Sequence, residues 1–471
     1  MPEYTAPGIY IEETPDLATS VNSVATAIPA FAGYTEKAQL NEPGDLLNKA
    51  FRITSIAEYE IHFGFADPEK GLEITFENIQ NSLTVIGTVN DKKRSHYLLY
   101  YSLQLFFLNG GGPCYIISVG SYLEKGIIKI TDLKRGLRIA GKVDEVTLLL
   151  FPDAINLKSY KNYYSLYKQA MKQAAELKDR FTILTVFHQS GNTSAWKKDV
   201  ALLRKSFDSD TSYLQYGAAY FPRLYTNIRF NTQHGLVNIV SNNAGDMPST
   251  LAELESTNEA FYNLALEAIG NIEMRLPASP AVAGVYAHVD AERGVWKAPA
   301  NINIDAAIRP EYVLTLQEQE ELNNGDSEGK YINVIRTFAG KGPAIIWGAR
   351  TLAGNDNEWR YISVRRYFNM VGESCKDATE SFVFEPNNTN TWTHVRSLIE
   401  NYLIQQWSAG ALMGTKPDDG FYVRVGLGST MTQADIDAGI MNVEIGMAVI
   451  RPAEFVILRF SHKMVNDDDD D

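Results

Sequence analysis

The stretch TWTHVRSLIENYLIQQWSAG, which runs from Thr391 to Gly410, carries the clearest structural signal in this chain of 471 residues. Its apolar residues recur at the spacing of an amphipathic helix that buries one face. They are Val395, Leu398, Ile399, Tyr402, Leu403 and Trp407. Asn390 or Thr391 can cap the start, because a short oxygen-bearing side chain accepts bonds from the free N–H groups of the first turn. Gly410 can adopt the left-handed conformation that ends the helix.

Three short strand-like runs follow this helix. They are Phe421–Val425, Val443–Val449 and Glu454–Phe460, and each is rich in β-branched or aromatic residues. A sheet of such short strands needs a helix over one face, and the preceding helix is the nearest candidate. We therefore predict that Phe384–Phe460 forms an α+β unit on which the rest of the chain is mounted.

Composition narrows the class of protein. The length of 471 residues and the 45% hydrophobic content predict two or three domains, and no apolar run reaches the roughly 18 residues of a membrane span. The net charge of −14 argues against binding to nucleic acid through its phosphates. We expect no secretory signal, because no basic region followed by an apolar stretch opens the chain. Two distant cysteines, Cys114 and Cys375, predict no disulfide framework and synthesis in a reducing cytoplasm.

The middle of the chain alternates between strand-like and helix-like runs. Strands are predicted at Ala25–Tyr34, Cys114–Val119, Val146–Phe151, Phe181–Phe187 and Gly217–Phe221, and helices at Ser55–His62, Ser95–Gly112, Leu157–Leu177, Ser194–Lys205 and Leu251–Ile272. Such alternation indicates a largely parallel sheet with helices on its faces.

Several long stretches resemble contractile tail sheath proteins, which form the outer cylinder of contractile phage tails and of related bacterial injection systems. The matching stretches are TAPGIYIEE (Thr5–Glu13), FFLNGGGPCYI (Phe106–Ile116), GVYAHVDAERGVWKAPAN (Gly284–Asn301), NVIRTFAGKGPAIIWGARTL (Asn333–Leu352), FVFEPNNTNTWTHVRSLIENYLIQQWSAGALMG (Phe382–Gly414) and MTQADIDAGIMNVEIGMAVIRPAEFVILRF (Met431–Phe460). A co-linear string of this length is far more specific than a short motif, although the resemblance is thin over residues 120–265.

The resemblance implies a multidomain chain of α/β and α+β class. Residues 25–87 together with 331–450 are expected to form an α+β core domain that faces the inner tube. Residues 88–330 are expected to form an inserted outer α/β region, most variable over 120–270. Residues 1–24 are expected to form an extended N-terminal arm, and residues 451–471 a C-terminal arm strand with an acidic tail.

In that family the terminal arms join sheets of neighbouring subunits, so the subunit-interface residues are predicted on two short strands. The N-terminal strand comprises Gly8, Ile9, Tyr10, Ile11 and Glu12, and the C-terminal strand includes Phe455, Val456, Ile457, Leu458 and Phe460. Main-chain hydrogen bonds of such a strand net about 0.5–1.5 kcal/mol each, so one arm is expected to contribute several kcal/mol while its linker bends.

The resemblance implies a structural protein without enzymatic activity and without a cofactor. Copies of the chain would polymerise into a helical cylinder of stacked hexameric rings and contract without nucleotide to drive the tube through a target envelope. The implied partners are further copies, an inner tube protein, and baseplate and tail terminator proteins, with no nucleic acid and no direct membrane insertion. Assembly is expected in the bacterial cytoplasm, as part of a virion tail or of an injection particle that is released from the cell.

Two other classes of protein are weighed against this one. A hydrolase could use Asp153, His188 and Ser190, which follow two predicted strands, as a nucleophilic trio. The strained G-x-S-x-G turn that exposes a nucleophilic serine is missing, so a structural role is favoured. Gly110–Gly112 does not predict a phosphate cradle, because Pro113 and a strand follow instead of a helix. A capsid-like or surface-layer protein would also polymerise, but into shells.

Charged residues of these stretches, and of the further match RYISVRRYFN (Arg360–Asn369), have structural interpretations. Asp290, Glu292 and Arg293 are expected on a strand or turn, where the acids could pair with a nearby base. For Arg365 and Arg366, binding to an acidic partner surface and pairing within the subunit remain equal alternatives. Histidine spacing predicts no metal site, and we interpret the five terminal acids Asp467–Asp471 as a solvated chain end.

Overall fold

A computed structural model describes residues 20–79, 82–123, 126–188, 196–207, 211–242, 246–323 and 330–454. The described strands are β1 (Pro29–Thr35), β2 (Ala50–Ile53), β3 (Leu72–Ile79), β4 (Ser82–Val89), β5 (Cys114–Ser121), β6 (Leu148–Leu150), β7 (Phe181–Thr185), β8 (Gly217–Phe221), β9 (Leu224–Thr226), β10 (Asn238–Asn242), β11 (Met274–Leu276), β12 (Ala307–Pro310), β13 (Ile332–Phe338), β14 (Gly342–Trp347), β15 (Phe421–Val425) and β16 (Val443–Met447). The described α-helices are α1 (Ile56–Phe63), α2 (Leu99–Leu108), α3 (Ile130–Ala140), α4 (Tyr160–Leu177), α5 (Trp196–Ser206), α6 (Leu251–Thr257), α7 (Glu259–Gly270), α8 (Ser279–Arg293), α9 (Leu316–Asn323), α10 (Ile362–Thr379), α11 (Thr389–Ser408), α12 (Pro417–Gly420) and α13 (Gln433–Asp437).

The largest sheet has eight strands in the order β14-β13-β8-β7-β6-β1-β5-β2. The six strands from β13 to β5 run parallel, and the edge strands β14 and β2 run antiparallel to their neighbours. Every residue of β1 is buried, as expected for a central strand of a parallel sheet with both faces covered. The predicted strand–helix alternation and the largely parallel sheet are therefore confirmed.

Helices cover both faces of this main sheet. Phe31 and Ala32 are consecutive on β1, so their side chains point to opposite faces. Phe31 packs against Phe106 of α2, with ring centroids 5.2 Å apart. Gly136 of α3 lies against Ala32 so closely that a Cβ on the glycine would stand 2.7 Å from the alanine methyl group. The result is a three-layer α/β/α body with one large hydrophobic core, here called the larger core.

Two three-stranded sheets extend this body, β10-β3-β4 and β11-β9-β12. The single helix predicted over Leu251–Ile272 is wrong, because α6 ends and α7 begins at Asn258. The side chain of Asn258 accepts a bond from the N–H of Phe261 and so caps the second helix. None of the described helices combines the length and the apolar character that a membrane span requires.

The opening stretch folds as the helix that its spacing predicts. It is α11, and its buried residues are Val395, Leu398, Ile399, Tyr402 and Leu403. The predicted cap is wrong by two to three residues, since Asn388 accepts from the N–H groups of Asn390 and Thr391 at 3.0 and 3.2 Å. Gly410 has the expected left-handed backbone, with φ of +84°. The helix packs on β15 and, with α10 and β16, encloses a second and smaller core.

The division into a core domain (25–87 with 331–450) and an outer region (88–330) stays a prediction. The main sheet contains strands of both ranges: β1, β2, β13 and β14 from the first, and β5 to β8 from the second. The smaller core is instead built on residues 361–449, with Val21, Val24, Val295 and Trp296 packed against it. The body that carries most of the chain is therefore the main sheet, and the α+β unit is attached to it.

Candidate assembly interface

Both predicted arm strands, Gly8–Glu12 and Phe455–Phe460, lie outside the described residues. The structure instead describes the residues next to each of them, from position 20 at the start and up to Glu454 at the end. Both of these segments contact the α+β unit.

The N-terminal segment is fixed across α10 and α11. Val21 is buried in the smaller core. The Ser23 hydroxyl lies 3.0 Å from the Tyr402 hydroxyl of α11, and the Val24 N–H donates to the Ser374 hydroxyl of α10 at 3.0 Å. The chain therefore enters its first strand only after crossing both helices of the smaller core.

The C-terminal segment is fixed at its last described residue. After β16, the Ile450 N–H donates to the carbonyl of Ala411 at 3.1 Å. Glu454 then forms a bidentate ion pair with Arg350, which follows β14 of the main sheet. The pair is four-fifths or more buried, with side-chain exposures of 15% and 19%. The last described residue is thus tied to the larger body and not to the α+β unit alone.

The two-stranded sheet of β15 and β16 has free edges. The strands pair antiparallel over their full lengths, and neither has another strand partner in the part of the chain that the structure describes. The Ala448 N–H donates to the carbonyl of Gly420 at 2.8 Å. Because backbone groups alternate in direction along a strand, those of Met447, Ile445 and Val443 point away from β15. The outer edge of β16 therefore offers an open hydrogen-bonding ladder.

An apolar groove of about 760 Å³ runs beside β16, between the end of α10 and the start of α11. Its lining includes Cys375 of α10, Val395 and Ile399 of α11, and Val443 and Ile445 of β16. A third strand on β16 would direct every second side chain towards this groove, because alternate side chains of a strand share a face. The groove is a candidate seat for an added strand.

Phe384 stands at the rim of this groove and is fully exposed. Its backbone has φ of +74°, which is strained for a bulky residue. Val383 beside it is 61% exposed. Sequence reasoning matched Phe384 to a motif but missed the groove. The signal that could have indicated it is the apolar run FVF (Phe382–Phe384). Pro386 follows closely and opposes a regular helix there, so no helix face accounts for these apolar side chains.

Asp153, a residue of the hydrolase hypothesis, has a structural role. Its carboxylate is completely buried and accepts from the N–H groups of Tyr34, Leu98 and Leu99 at 2.8, 2.6 and 3.1 Å. It joins the end of β1 to the start of α2, the position at which related folds hold a ligand anion. Burial raises the pKa of Asp153 to about 6, against the effect of the three hydrogen bonds. Gly33 leaves the space, because a Cβ there would lie 2.6 Å from the carboxylate.

The substitution Asp153→Asn is expected to lower the free energy of unfolding by about 2 kcal/mol, since the amide NH₂ must face a buried N–H donor. Chemical denaturation at pH 8, where the carboxyl is ionised, measures this loss. Asp144→Asn changes an exposed carboxylate at the other end of β6 and is the matched control, with an expected change within about 0.5 kcal/mol. Equal stability of the two variants would contradict the assigned role.

His188 does not meet Asp153. Its Nδ1 lies 2.5 Å from Oδ2 of Asp199, and its Nε2 lies 3.2 Å from the Tyr312 hydroxyl. Ser190 lies outside the described residues. Because the two carboxylate oxygens of Asp153 are bound to backbone N–H groups, the predicted trio is not assembled around His188.

Asp290 and Arg366 form a buried ion pair between the two cores. Asp290 lies on α8 and not on the predicted strand or turn. Arg366, near the start of α10, donates to both of its carboxylate oxygens at 3.0 and 2.5 Å. Thr26 donates its hydroxyl to Asp290 and accepts from Arg366 through its carbonyl. For Arg366, pairing within the subunit is therefore the correct alternative.

The other charged residues of these motifs are also engaged within the subunit. The guanidinium of Arg365 lies over Trp359, 4.2 Å from its ring centroid, and donates to Asn369 at 2.9 Å. Glu292 lies one turn after His288 on α8, at 3.3 Å. The buried charged side chains Asp290, Arg365 and Arg366 therefore all have partners within the same chain.

Comparison with known proteins adds sequence relatives. A family described as the phage tail sheath C-terminal domain matches residues 354–463. The tail sheath protein of Vibrio phage KVP40 is 28% identical over 140 residues, which cover 29% of this chain and 20% of the relative. The tail sheath protein of Enterobacteria phage T4 is 22% identical over 174 residues, which cover 36% of this chain and 25% of the relative. The aligned region thus spans only a fifth to a quarter of these two curated relatives.

Solved structures match over nearly the whole chain. The helical sheath of the anti-feeding prophage in its contracted state is 30% identical, with a TM-score of 0.66, and the match covers 98% of this chain and 100% of that one. The sheath complex of PVC, an extracellular contractile injection system, in its contracted state is 29% identical, with a TM-score of 0.65 and coverage of 98% and 99%.

These full-length matches agree with the matched motifs at both ends of the chain, with the α/β/α body and with the attached α+β unit. The resemblance and the mixed α/β and α+β fold class drawn from the sequence are confirmed. The chain belongs to the family of contractile sheath proteins of phage tails and phage-like injection systems.

Proposed function

We propose that this protein is the structural subunit of a contractile sheath and that its copies join by exchanging terminal arms. The observation that carries the proposal is the full-length similarity to sheath subunits of two injection particles. In the assembled cylinder, the sheet of β15 and β16 receives strands from neighbouring copies. The candidate strands are Gly8–Glu12 and Phe455–Phe460 of those copies.

The open edge of β16 and the adjoining groove support this arrangement. A strand added there gains main-chain hydrogen bonds and buries apolar side chains at one place. The residues Val456, Leu458 and Phe460 alternate and would form one apolar face. Because the arms begin at fixed points, Val21 and Glu454, only the segments beyond them must change direction when subunits move.

The proposed cylinder surrounds an inner tube and ends at baseplate and terminator proteins. Contraction proceeds without nucleotide, from a metastable extended state to a state that buries more surface. The protein acts as scaffold and not as an enzyme. The buried Asp153 and its separation from His188 oppose the hydrolase alternative. Assembly in the bacterial cytoplasm, before the particle is released, is part of the proposal.

Negative-stain electron microscopy of the purified full chain tests the proposal. We expect hollow, cross-striated tubes, because each subunit would supply both the arms and the sheet that receives them. If the protein alone stays monomeric, co-expression with its tube protein is expected to give tubes around a central core. Flat or closed shells, or monomers under both conditions, would contradict the sheath function.

A further inference from the structure

A second pocket lies at the carboxyl edge of the main sheet and shares no lining residue with the groove beside β16. It has a volume of about 200 Å³ and is lined by three arginines and two histidines: Arg94, Arg223, Arg275, His96 and His188. Asp91 is the one acidic residue among its described lining residues. Five basic side chains around so small a space are unusual in a chain with a net charge of −14.

The position of the pocket follows from the topology. Asn156 comes after β6, His188 three residues after β7, and Arg223 two residues after β8. These three strands are parallel neighbours, so their carboxyl ends meet at one edge. Open α/β sheets bind ligands outside this edge.

The acidic partners do not satisfy the arginines. Glu311 accepts a bidentate pair from Arg223 at 2.7 and 2.8 Å and is shared with Arg275 at 3.4 Å. Among the described residues, the only other acidic partner of Arg275 is Asp91, at 3.4 Å, and the Asp91 side chain is 70% exposed. Two guanidinium groups thus depend on one buried carboxylate, and the N–H groups of Arg275 remain poorly bonded.

Arg94 is the least satisfied of the three. Its side chain forms no hydrogen bond or ion pair within the described ranges, although it lines the pocket. The nearby carboxylate of Glu69 accepts instead from the backbone N–H groups of Gly71 and Ser95, both at 3.0 Å. Burial lowers the pKa of Arg94, the charge of Glu69 opposes this effect, and repulsion from Arg275 and Arg223 adds to it. A largely desolvated guanidinium without a hydrogen-bonded anion costs free energy, and a bound anion would reduce that cost.

We propose that this pocket binds a small oxyanion, a phosphate or a carboxylate group, between Arg94 and Arg275. The planar guanidinium fork of arginine matches two oxygens of such a group. A bound anion would link the segment before α2, which carries Arg94, to β11, which carries Arg275. Binding therefore stabilises the larger body of the subunit, away from the arms and from the groove beside β16.

Thermal unfolding of the full chain in inorganic phosphate, in acetate and in chloride at equal ionic strength tests the site. We expect phosphate or acetate to raise the Tm saturably by about 2–5 °C over chloride, and the more effective anion identifies the class. Isothermal titration calorimetry of the wild type with that anion is expected to give one site per chain. Equal Tm in all three salts, with no heat beyond dilution, would overturn the proposal.

The variant Arg94→Gln separates a bound anion from a general salt effect. We expect it to lose the anion-dependent shift while its Tm in chloride is unchanged or higher, because a cation with no hydrogen-bonded anion among the described residues is removed. Arg396→Gln is the matched control, since Arg396 is an exposed residue of α11 paired with Glu400, and it is expected to keep the full shift. Retention of the shift by Arg94→Gln would refute the site.

Discussion

A variant that lacks residues 1–19 is expected to fold normally and to remain monomeric under conditions in which the full chain forms tubes. The deletion removes none of the residues that the structure describes, and Val21 keeps its place in the smaller core. If a five-residue arm strand contributes about 4 kcal/mol to each contact, its loss weakens that contact roughly a thousandfold. Each subunit repeats the contact, so the loss prevents growth of the polymer.

Light scattering after size exclusion measures the mass of the variant, and electron microscopy shows whether tubes form. Circular dichroism and the Tm establish that the fold is intact. Deletion of Asp467–Asp471 is the matched control, since it shortens the other terminus without touching the strand Phe455–Phe460. Tubes of normal length from the chain without residues 1–19 would contradict arm exchange at the N-terminus.

The outer edge of β16 is the receiving side in the proposed assembly. The backbone groups of Ile445 point away from β15, while those of Glu444 point towards it. This difference makes the outer edge of β16 the place where an added strand would bond. In the proposed assembly the arm and this edge are two halves of one contact, and the deletion removes the arm while leaving the described part of the chain unaltered.

Local patterns predicted the elements of this fold better than their grouping. The spacing in Thr391–Gly410 located α11 and its buried face, and the run Gly217–Phe221 matches β8 residue for residue. Both signals depend on contacts within one element or with its nearest neighbours. The membership of β1 in the main sheet depends on its pairing with β5 and β6, in which Ala30 lies beside Tyr115 and Pro29 beside Leu148. No local pattern encodes a pairing between residues so far apart in sequence.

For the candidate interface, the sequence suggested the arm strands but not the groove. The arm strands were proposed from short alternating runs and from resemblance. The groove could not be predicted, because Cys375, Val395 and Ile445 come from three elements that meet only in the fold. The role of Asp290 was missed for the same reason, because its partner Arg366 lies on α10 and contacts it only in the folded chain. Charged residues acquire their partners from tertiary structure, so their roles are the last to emerge from sequence.

Asp290→Ala is expected to lower the free energy of unfolding by about 3–5 kcal/mol, because it leaves the buried guanidinium of Arg366 without its carboxylate. Exposure of the pair is only 7% and 3%, so water cannot replace the lost partner. The Tm of the purified chain and its denaturation in urea measure the effect. Glu400→Ala breaks the more exposed pair with Arg396 on α11 and serves as the control, with a loss below about 1 kcal/mol.

The double variant Asp290→Ala/Arg366→Met distinguishes a buried charge from a lost contact. If the cost of Asp290→Ala is the stranded cation, then replacing the cation by an apolar side chain restores most of the stability. If Asp290 acts mainly by holding Thr26, the double variant stays as unstable as the single one. Restoration would also show that the link between α8 and α10 tolerates an apolar contact. The α+β unit that carries the groove is joined to the body of the main sheet at this ion pair. Tube formation by a restored double variant would show that assembly needs a stable joint and not the ion pair itself.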